Sequence, residues 1–193
     1  MSLLEVDDVK ITYRMPGDDV HAVNNVSFSI DEGDNYGLVG ESGCGKSTLA
    51  KSVLGLLDDN GEVRSGSIRF DGRELLDLSE RDWMSVRWED IAYIPQSAMD
   101  SLDPVMSVGA QIRQAIRKHR DISKAEANGR ASEVFEMVGL DPARTGDYPH
   151  QFSGGMRQRV TIAMALALDP DLIIADEPTT GLDVIVQDKI LNK

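Results

Sequence analysis

The sequence predicts an α/β fold in which an antiparallel β lobe and an inserted α-helical lobe accompany a core built around a glycine-rich loop. Residues 4–13 and 26–30 have strand patterns separated by turn residues, which indicates paired strands at the start of the chain. The glycine-rich loop at 40–47 lies between a short apolar run and a stretch of helical periodicity. Residues 108–138 then show helical patterns, before an apolar strand-like run at 172–175.

Each predicted element rests on a local pattern. Val26, Phe28 and Ile30 alternate with serines, which is typical of a strand with one buried face. Ser123 and Glu126 have the spacing of a capping box, which marks the start of a helix. In chain order, the predicted strands cover residues 4–13, 26–30, 35–39, 68–70, 91–94 and 172–175, and the predicted helices cover residues 47–57, 108–116 and 124–138, with a further helix after Ser153.

Composition and charge limit the classes of function open to the chain. Its 193 residues are enough for one domain with a smaller lobe, and 41% of them are hydrophobic. Lys and Arg number 20 against 33 Asp and Glu, which gives a formal charge of −13. Most of such a surface repels a nucleic-acid backbone, so we expect no nucleic-acid partner.

The sequence also indicates a compartment. Cys44 is the single cysteine, which excludes an internal disulfide and favours the reducing cytoplasm. No apolar run reaches the roughly 20 residues that a membrane-spanning helix needs, and the first residues lack the pattern of a secretory signal. We therefore expect a cytoplasmic protein.

Residues 40–47 match the phosphate-binding pattern G-x-x-x-x-G-K-[ST] over its whole length, between a predicted strand and a predicted helix. The glycines let backbone N–H groups turn towards the phosphates, where the helix N-terminus adds partial positive charge. Lys46 is expected to reach the β- and γ-phosphates, and the Ser47 hydroxyl to bind Mg²⁺. The residues predicted to contact the nucleotide are Gly40, Glu41, Ser42, Gly43, Cys44, Gly45, Lys46, Ser47 and Thr48.

Two carboxylates follow the apolar run at 172–175, at the strand end where a parallel α/β sheet presents its ligand site. Asp176 suits the Mg²⁺ shell, and Glu177 suits a polarised water. An ordinary surface turn would carry the same two residues, but it would not explain their presence in a chain with a phosphate-binding loop.

Ser153, Gly154 and Gly155 form a third group, ahead of a predicted helix. A serine hydroxyl, two glycine amides and a helix N-terminus can all face one anion, which makes a second phosphate grip. With these three motifs together, the chain resembles the ATP-binding-cassette ATPase family. The resemblance runs from Leu3 to the last residue. The resemblance implies a P-loop NTPase core with ATP and Mg²⁺, formed by residues 1–96 and 161–193, and a helical lobe at 97–160.

The resemblance also assigns roles that the residues alone do not. Ser153, Gly154 and Gly155 are expected to close on the ATP of a second ATPase subunit in a head-to-tail dimer. Tyr13 matches the aromatic residue that stacks on adenine, and Gln96 matches the glutamine that senses Mg²⁺ and the γ-phosphate. Together with Lys46 and Glu177, Gln96 is predicted to be catalytic, and Asp183 is expected at the dimer contact.

Residues 95–104 and 152–159 resemble the ATP-binding subunits of dipeptide and oligopeptide importers, a group that includes nickel importers. Met156 stands where most of the family has Gln, which indicates one of two unlike ATPase subunits, although a tolerated substitution would look the same. The partners implied are a non-identical ATPase subunit, two transmembrane permease subunits and an extracellular solute-binding protein. The chain would then lie at the inner face of the membrane.

Family members carry a histidine beyond the position of Asp183, and His21, His119 and His150 lie in the wrong places to replace it. Because the sequence stops at Lys193, we expect a C-terminally incomplete chain with weak or no ATPase activity alone. Two alternatives remain open. One is a non-transport ATPase of the same superfamily, for DNA repair or iron–sulfur assembly, and the other is an inactive regulatory module.

Overall fold

The computed structural model describes residues 2–96 and 101–177. The chain divides into two compact units, one ending at Met84 and the other beginning at Ser85. The predicted division into a core of 1–96 and 161–193 with a helical lobe at 97–160 stays a prediction.

An antiparallel sheet forms the first unit, which confirms the predicted β lobe. Its strands have the order β2-β1-β3-β4. Leu4 of the central strand pairs with Ile30 on one side and with Phe70 on the other. The strands are β1 (Ser2–Tyr13), β2 (Val20–Asp31), β3 (Gly61–Phe70) and β4 (Arg73–Glu74).

A bulge in β1 keeps its apolar side chains on the buried face. The strand register shifts between Val6 and Val9, where Asp8 has a φ of 46°. Both valines are buried although they are three residues apart, because the extra residue restores the two-residue alternation. Gly66 of β3 lies opposite, and a Cβ there would be 2.5 Å from the Asp7 carbonyl oxygen.

Two helices follow the first strands, α1 (Lys46–Val53) and α2 (Glu80–Val86), and α2 crosses the boundary between the units. The prediction of a helix over 47–57 was therefore too long. Gly55 has a φ of 60°, and a Cβ on it would lie 2.6 Å from the Trp83 ring. The chain turns away there to pack on Trp83, so Leu56 is 41% exposed instead of continuing the apolar face.

The predicted strand at 35–39 was wrong. Residues 34–41 have no strand conformation, and Val39 is 92% exposed. Tyr36 instead stacks on Phe28 with ring centroids 5.0 Å apart. A strand exists only through hydrogen bonds to a neighbour, and residues 34–41 are not among the strands paired in the sheet β2-β1-β3-β4. An apolar run without such a neighbour therefore stays irregular.

The second unit combines a parallel strand pair with three helices. The strands are β5 (Ile91–Ile94) and β6 (Leu172–Ala175), both at their predicted positions. Phe135, Ile112 and Ile116 are among the largest fully buried side chains of its core. The helices are α3 (Val108–His119), α4 (Lys124–Met137) and α5 (Gly154–Ala165). Among residues 2–96 and 101–177, the longest helices are too short or too polar to span a bilayer.

The predicted capping box at the start of α4 is confirmed. The Ser123 hydroxyl accepts from the Glu126 backbone N–H at 3.2 Å, and the Glu126 carboxylate accepts from the Ser123 N–H at 2.8 Å. The hydrogen bonds from Ser123 hold the pKa of the Glu126 carboxyl below its ordinary value. The helix therefore begins with its first donors satisfied.

Two arginines satisfy the backbone at the end of α5. Arg130 donates to the carbonyl of Leu166 at 2.8 Å and to that of Ala167 at 3.0 Å, and Arg120 donates to the Leu168 carbonyl. These carbonyls belong to the 3₁₀ turn that leads from α5 towards β6. Side-chain donors from α4 and from the end of α3 thus hold the approach to β6 in place.

We expect Ser123→Ala to lower the free energy of unfolding by about 1 kcal/mol, because it removes the N-cap acceptor of α4. Urea denaturation followed by circular dichroism measures this change. Ser132→Ala, inside the same helix, is the matched control and should change stability by less than about 0.5 kcal/mol. Equal effects of the two substitutions would show that the cap does not stabilise the helix.

Candidate functional site

The glycine-rich loop leads directly into α1, as the sequence predicts. Gly45 is the N-cap residue of the helix and has a left-handed φ of 97°. A Cβ on Gly45 would lie 2.3 Å from the carbonyl oxygen of Ala22, so β2 closes one side of the loop. Gly43 has a φ of 82° but open space around its α-carbon. Glycine is therefore required at 45 for both conformation and space, and at 43 for conformation.

Lys46 bridges the loop that precedes it. Its Nζ donates to the carbonyl oxygens of Gly40 and Glu41, each at 2.8 Å. The Cys44 sulfur lies 3.7 Å from the same nitrogen, and a Cβ on Gly40 would be 2.7 Å from that sulfur. An ammonium group and the first backbone N–H groups of α1 are thus held in one short segment, a combination that binds anions.

The second set of predicted residues lies where β5 and β6 end. Ile94 pairs with Ala175 in the parallel register, so Gln96 and Glu177 each follow the last strand pair by two residues. The Gln96 amide Nε2 donates to Glu177 Oε2 at 2.7 Å. A hydrogen bond of this length holds the amide of Gln96 against the carboxylate of Glu177.

Glu177 has a φ of 50°, a conformation that residues other than glycine seldom adopt. The preceding residue, Asp176, is still tied to the sheet, because its backbone N–H donates to the Ile94 carbonyl at 2.9 Å. The chain therefore turns sharply just after the last ladder hydrogen bond. This turn orients the Glu177 carboxylate towards Gln96, and such local strain is typical of functional positions.

Sequence reasoning missed Tyr93, whose hydroxyl lies 3.4 Å from Asp176 Oδ2. Partial burial raises the pKa of the Tyr93 phenol, and the charge of Asp176 and its hydrogen bond raise it further. Tyr93 therefore stays a neutral donor facing the carboxylate. The polar tip of a tyrosine within the otherwise apolar run of β5 was the signal in the sequence.

Ser153, Gly154 and Gly155 lie at the start of α5. Ser153 is the N-cap residue, as predicted, and its hydroxyl accepts from the Met156 N–H at a long 3.4 Å. Gly154 and Gly155 are the first two helical residues, whose N–H groups have no acceptor within the helix. The segment thus presents a hydroxyl and two glycine amides at a helix N-terminus.

The remaining predicted residues include Tyr13 and Asp183. Tyr13 ends β1, and its ring lies against β3, since a Cβ on Gly61 would be 2.8 Å from its Cε1. Stacking of Tyr13 on adenine stays a prediction. Asp183 lies outside the described residues, and so do the loop at 180–182 and residues 97–100 of the importer-like segment.

The donor set suits Mg²⁺. Ser47, Gln96 and Asp176 offer a hydroxyl, an amide oxygen and a carboxylate, all hard oxygen ligands of the kind that Mg²⁺ prefers. Within the described part of the chain, no cluster of three or more His, Cys, Asp or Glu side chains could hold a metal alone. Mg²⁺ commonly binds through one or two protein ligands with water and phosphate oxygens, and each unit by itself offers that number: Ser47 in the first, Gln96 and Asp176 in the second.

Gly43 and Gly45 differ in the space around them, so an added Cβ should have a different cost at each. Gly43→Ala should lower the free energy of unfolding of the first unit by about 1 kcal/mol, because only the positive φ is strained. Gly45→Ala should cost more, about 2–4 kcal/mol, because the added Cβ also meets the Ala22 carbonyl. Thermal denaturation of both variants measures the difference. If the two midpoints fall equally, β2 does not confine the loop at Gly45.

Comparison with known proteins agrees with this geometry. A family model described as ABC transporter matches residues 23–180. The dipeptide transport ATP-binding protein DppD of Lactococcus lactis subsp. cremoris is 47% identical over 193 residues, which cover 98% of this chain and 55% of that protein. The oligopeptide transport ATP-binding protein OppD of Salmonella typhimurium is 49% identical over 191 residues, covering 98% and 57%.

Solved structures agree as well. One of them is the ATP-binding cassette MJ0796 in a dimeric post-hydrolysis state bound to ADP and Pi. It matches this chain with a TM-score of 0.87 at 31% sequence identity, and the aligned region covers 98% of this chain and 80% of the MJ0796 chain. These neighbours confirm the predicted P-loop NTPase fold. The chain spans a little over half the length of the DppD and OppD relatives. By the family model, by its relatives and by its fold, this chain belongs to the ABC transporter family.

Proposed function

We propose that this chain is the ATP-binding and ATP-hydrolysing part of a subunit that powers an importer of dipeptides or oligopeptides. The observation that carries the hydrolytic part is the 2.7 Å contact between Gln96 and Glu177 at the ends of β5 and β6. An amide that holds a carboxylate at a sheet edge is suited to orient a water molecule. The transport part is supported by the names of the relatives, which are dipeptide and oligopeptide transport ATP-binding proteins.

Nucleotide binding is assigned to residues 40–48. Lys46 now donates to two loop carbonyls, and the phosphates of ATP would supply stronger, charged acceptors for the same Nζ. The backbone N–H groups at the start of α1 face the same region of the loop. Tyr13 would stack on the adenine, which leaves the loop to bind the triphosphate.

Ser47, Gln96 and Asp176 would hold Mg²⁺. When bound, the ion would supply positive charge that offsets the negative charge developing on the phosphates. Tyr93 contributes by facing Asp176 as a donor, since a neutral phenol can restrain a carboxylate without adding charge. The protein's main contribution to phosphoryl transfer is then to position groups and offset charge.

Glu177 is the proposed general base. The Gln96 amide holds the Glu177 carboxylate, which would accept a proton from the attacking water. The hydrogen bond from Gln96 holds the carboxylate in place before any substrate arrives, which reduces reorganisation during the reaction. Gln96 would also couple nucleotide binding to the base. If its side-chain amide turned to the bound Mg²⁺ and nucleotide, the hydrogen bond to Glu177 would break.

Ser153, Gly154 and Gly155 would act on the ATP of a second ATPase subunit. Their hydroxyl and amide donors lie at the N-terminus of α5, and a residue there can satisfy phosphate oxygens that the phosphate-binding loop leaves free. The dimeric state of MJ0796 supports such a pairing. Met156 favours a non-identical partner, and Asp183 would contribute to the contact.

The complete system would contain two permease subunits and an extracellular solute-binding protein. Closure of the ATPase pair on ATP would move the permeases, so that binding energy is coupled to a two-state element. The chain would then lie peripherally on the cytoplasmic side of the membrane. Peptides are favoured over nickel because the relatives named above carry peptides in their names.

Glu177→Gln should bind ATP with an affinity within about twofold of the parent chain but lose at least about 100-fold in turnover, because the base is removed and the binding groups remain. Lys46→Ala should instead weaken ATP binding itself. Fluorescent-nucleotide titration and phosphate release by the complete subunit in its transporter measure the two effects. Glu136→Gln, an exposed position on α4, is the matched control. Retained turnover in Glu177→Gln would rule out its role as base.

Uptake by the reconstituted transporter tests the solute. Vesicles containing the subunit, its partner ATPase, the permeases and the binding protein should accumulate a labelled dipeptide when ATP is supplied on the cytoplasmic side. Glu177→Gln vesicles should not. Nickel uptake with no dipeptide uptake would keep the ATPase assignment and overturn the peptide assignment, whereas ATP turnover unaffected by either solute would favour a non-transport ATPase.

A further inference from the structure

Arg144 contacts four groups around the turn that precedes α5. Its Nε donates to Asp147 Oδ2 at 2.8 Å, and its Nη2 donates to the Gln151 carbonyl at 2.9 Å. The guanidinium carbon lies 4.4 Å from the centroid of the Phe152 ring, and Nη1 lies 3.8 Å from the Met156 sulfur. One planar cation therefore links the turn to both sides of the segment at 153–155.

The segment at 153–155 has little of its own to fix its position. Gly154 and Gly155 have no side chains to pack, and the hydroxyl of Ser153 makes a long 3.4 Å cap to Met156. Phe152, immediately before it, is only 3% exposed and belongs to the core. The backbone of α5 holds the segment from one side, since the Arg157 N–H donates to the Ser153 carbonyl at 2.9 Å. The side chains that fix its position belong to its flanks, and Arg144 touches residues on both of them.

Arg144 is itself well anchored. It lies in the 3₁₀ segment Pro142–Gly146, which Asp141 caps by accepting from the Ala143 N–H. Asp147, its ion-pair partner, also accepts a hydrogen bond through its carbonyl from the Val108 N–H of α3 at 2.9 Å. The cation is therefore tied to α3, and it passes that fixed position on to the start of α5.

A second arginine shows that the flank is not held by Arg144 alone. Arg157 Nη1 donates to the Phe152 carbonyl at 2.9 Å. Removal of Arg144 should therefore loosen the segment at 153–155 and leave the fold of the unit intact. The side chains of Arg144 and Asp147 are 33% and 30% exposed, so their pair is partly shielded from water and salt.

We infer that Arg144 is a positioning residue for Ser153, Gly154 and Gly155, acting through the Gln151 carbonyl, the Phe152 ring and Met156. This inference rests on the proposed function, in which those three residues grip the ATP held by the partner ATPase subunit. In this proposal Arg144 acts through its neighbours and does not itself donate to the nucleotide. It holds the hydroxyl and the two amides in the geometry that the second phosphate grip needs, and small displacements of such donors cost much of their effect.

The test uses the complete transporter and measures steady-state ATP turnover, equilibrium ATP binding and the thermal midpoint of the purified subunit. Arg144→Ala should lower kcat about 10- to 100-fold while KM for ATP changes less than about twofold, because the subunit's own phosphate-binding loop is untouched. Arg144→Lys should recover part of kcat, since it keeps the positive charge but loses the planar guanidinium that contacts several groups at once. Asp147→Asn should give a smaller loss.

Ser123→Ala is the stability control, because it weakens the same unit at the distant start of α4 and should leave kcat unchanged. If Arg144→Ala lowers kcat no more than Ser123→Ala does, or if it raises KM without lowering kcat, the positioning role is wrong and the proposed function stands. A parent transporter that does not hydrolyse ATP would overturn the proposed function, and the inference with it.

Discussion

The parallel pairing of β5 with β6 is the interaction on which the candidate catalytic arrangement depends. Because Ile94 is aligned with Ala175, β5 and β6 end at the same level of the sheet, which brings Gln96 to Glu177. A slip of one residue would turn each side chain to the opposite face. Two further backbone hydrogen bonds at the ends of the strands hold this register. The Leu172 N–H donates to the Asp90 carbonyl, and the Asp176 N–H donates to the Ile94 carbonyl.

The functional segments share a second constraint, which is that their polar groups are presented by backbone in unusual or unfinished conformations. Gly43 and Gly45 have positive φ values ahead of α1, and Glu177 has one after β6. Ser153 begins α5 as its N-cap residue, followed by two glycines at the helix N-terminus. The positive φ of Glu177 costs free energy, and the contact with Gln96 helps to hold it. Phe152 fixes the chain beside Ser153 by its burial in the core.

Local patterns predicted most elements of the fold. The capping box at Ser123 and the cap at Ser153 depend on residues within a few positions of one another, so spacing was enough. The apolar runs at 91–94 and 172–175 were predicted correctly as strands because each finds the other as its neighbour. The predictions for the apolar run at 35–39 and for the end of α1 failed for the same reason. Both depend on distant residues, the first on a neighbouring strand and the second on Trp83 against Gly55.

The sequence by itself determined the chemistry of this protein: a phosphate-binding loop at 40–47, two carboxylates after an apolar strand, and a serine followed by two glycines at a helix start. Only the tertiary structure decided which groups meet. The contacts of Gln96 with Glu177 and of Tyr93 with Asp176 join residues more than 80 positions apart. Spacing along the chain carries no information at that range, because pairing and packing of whole elements bring such residues together.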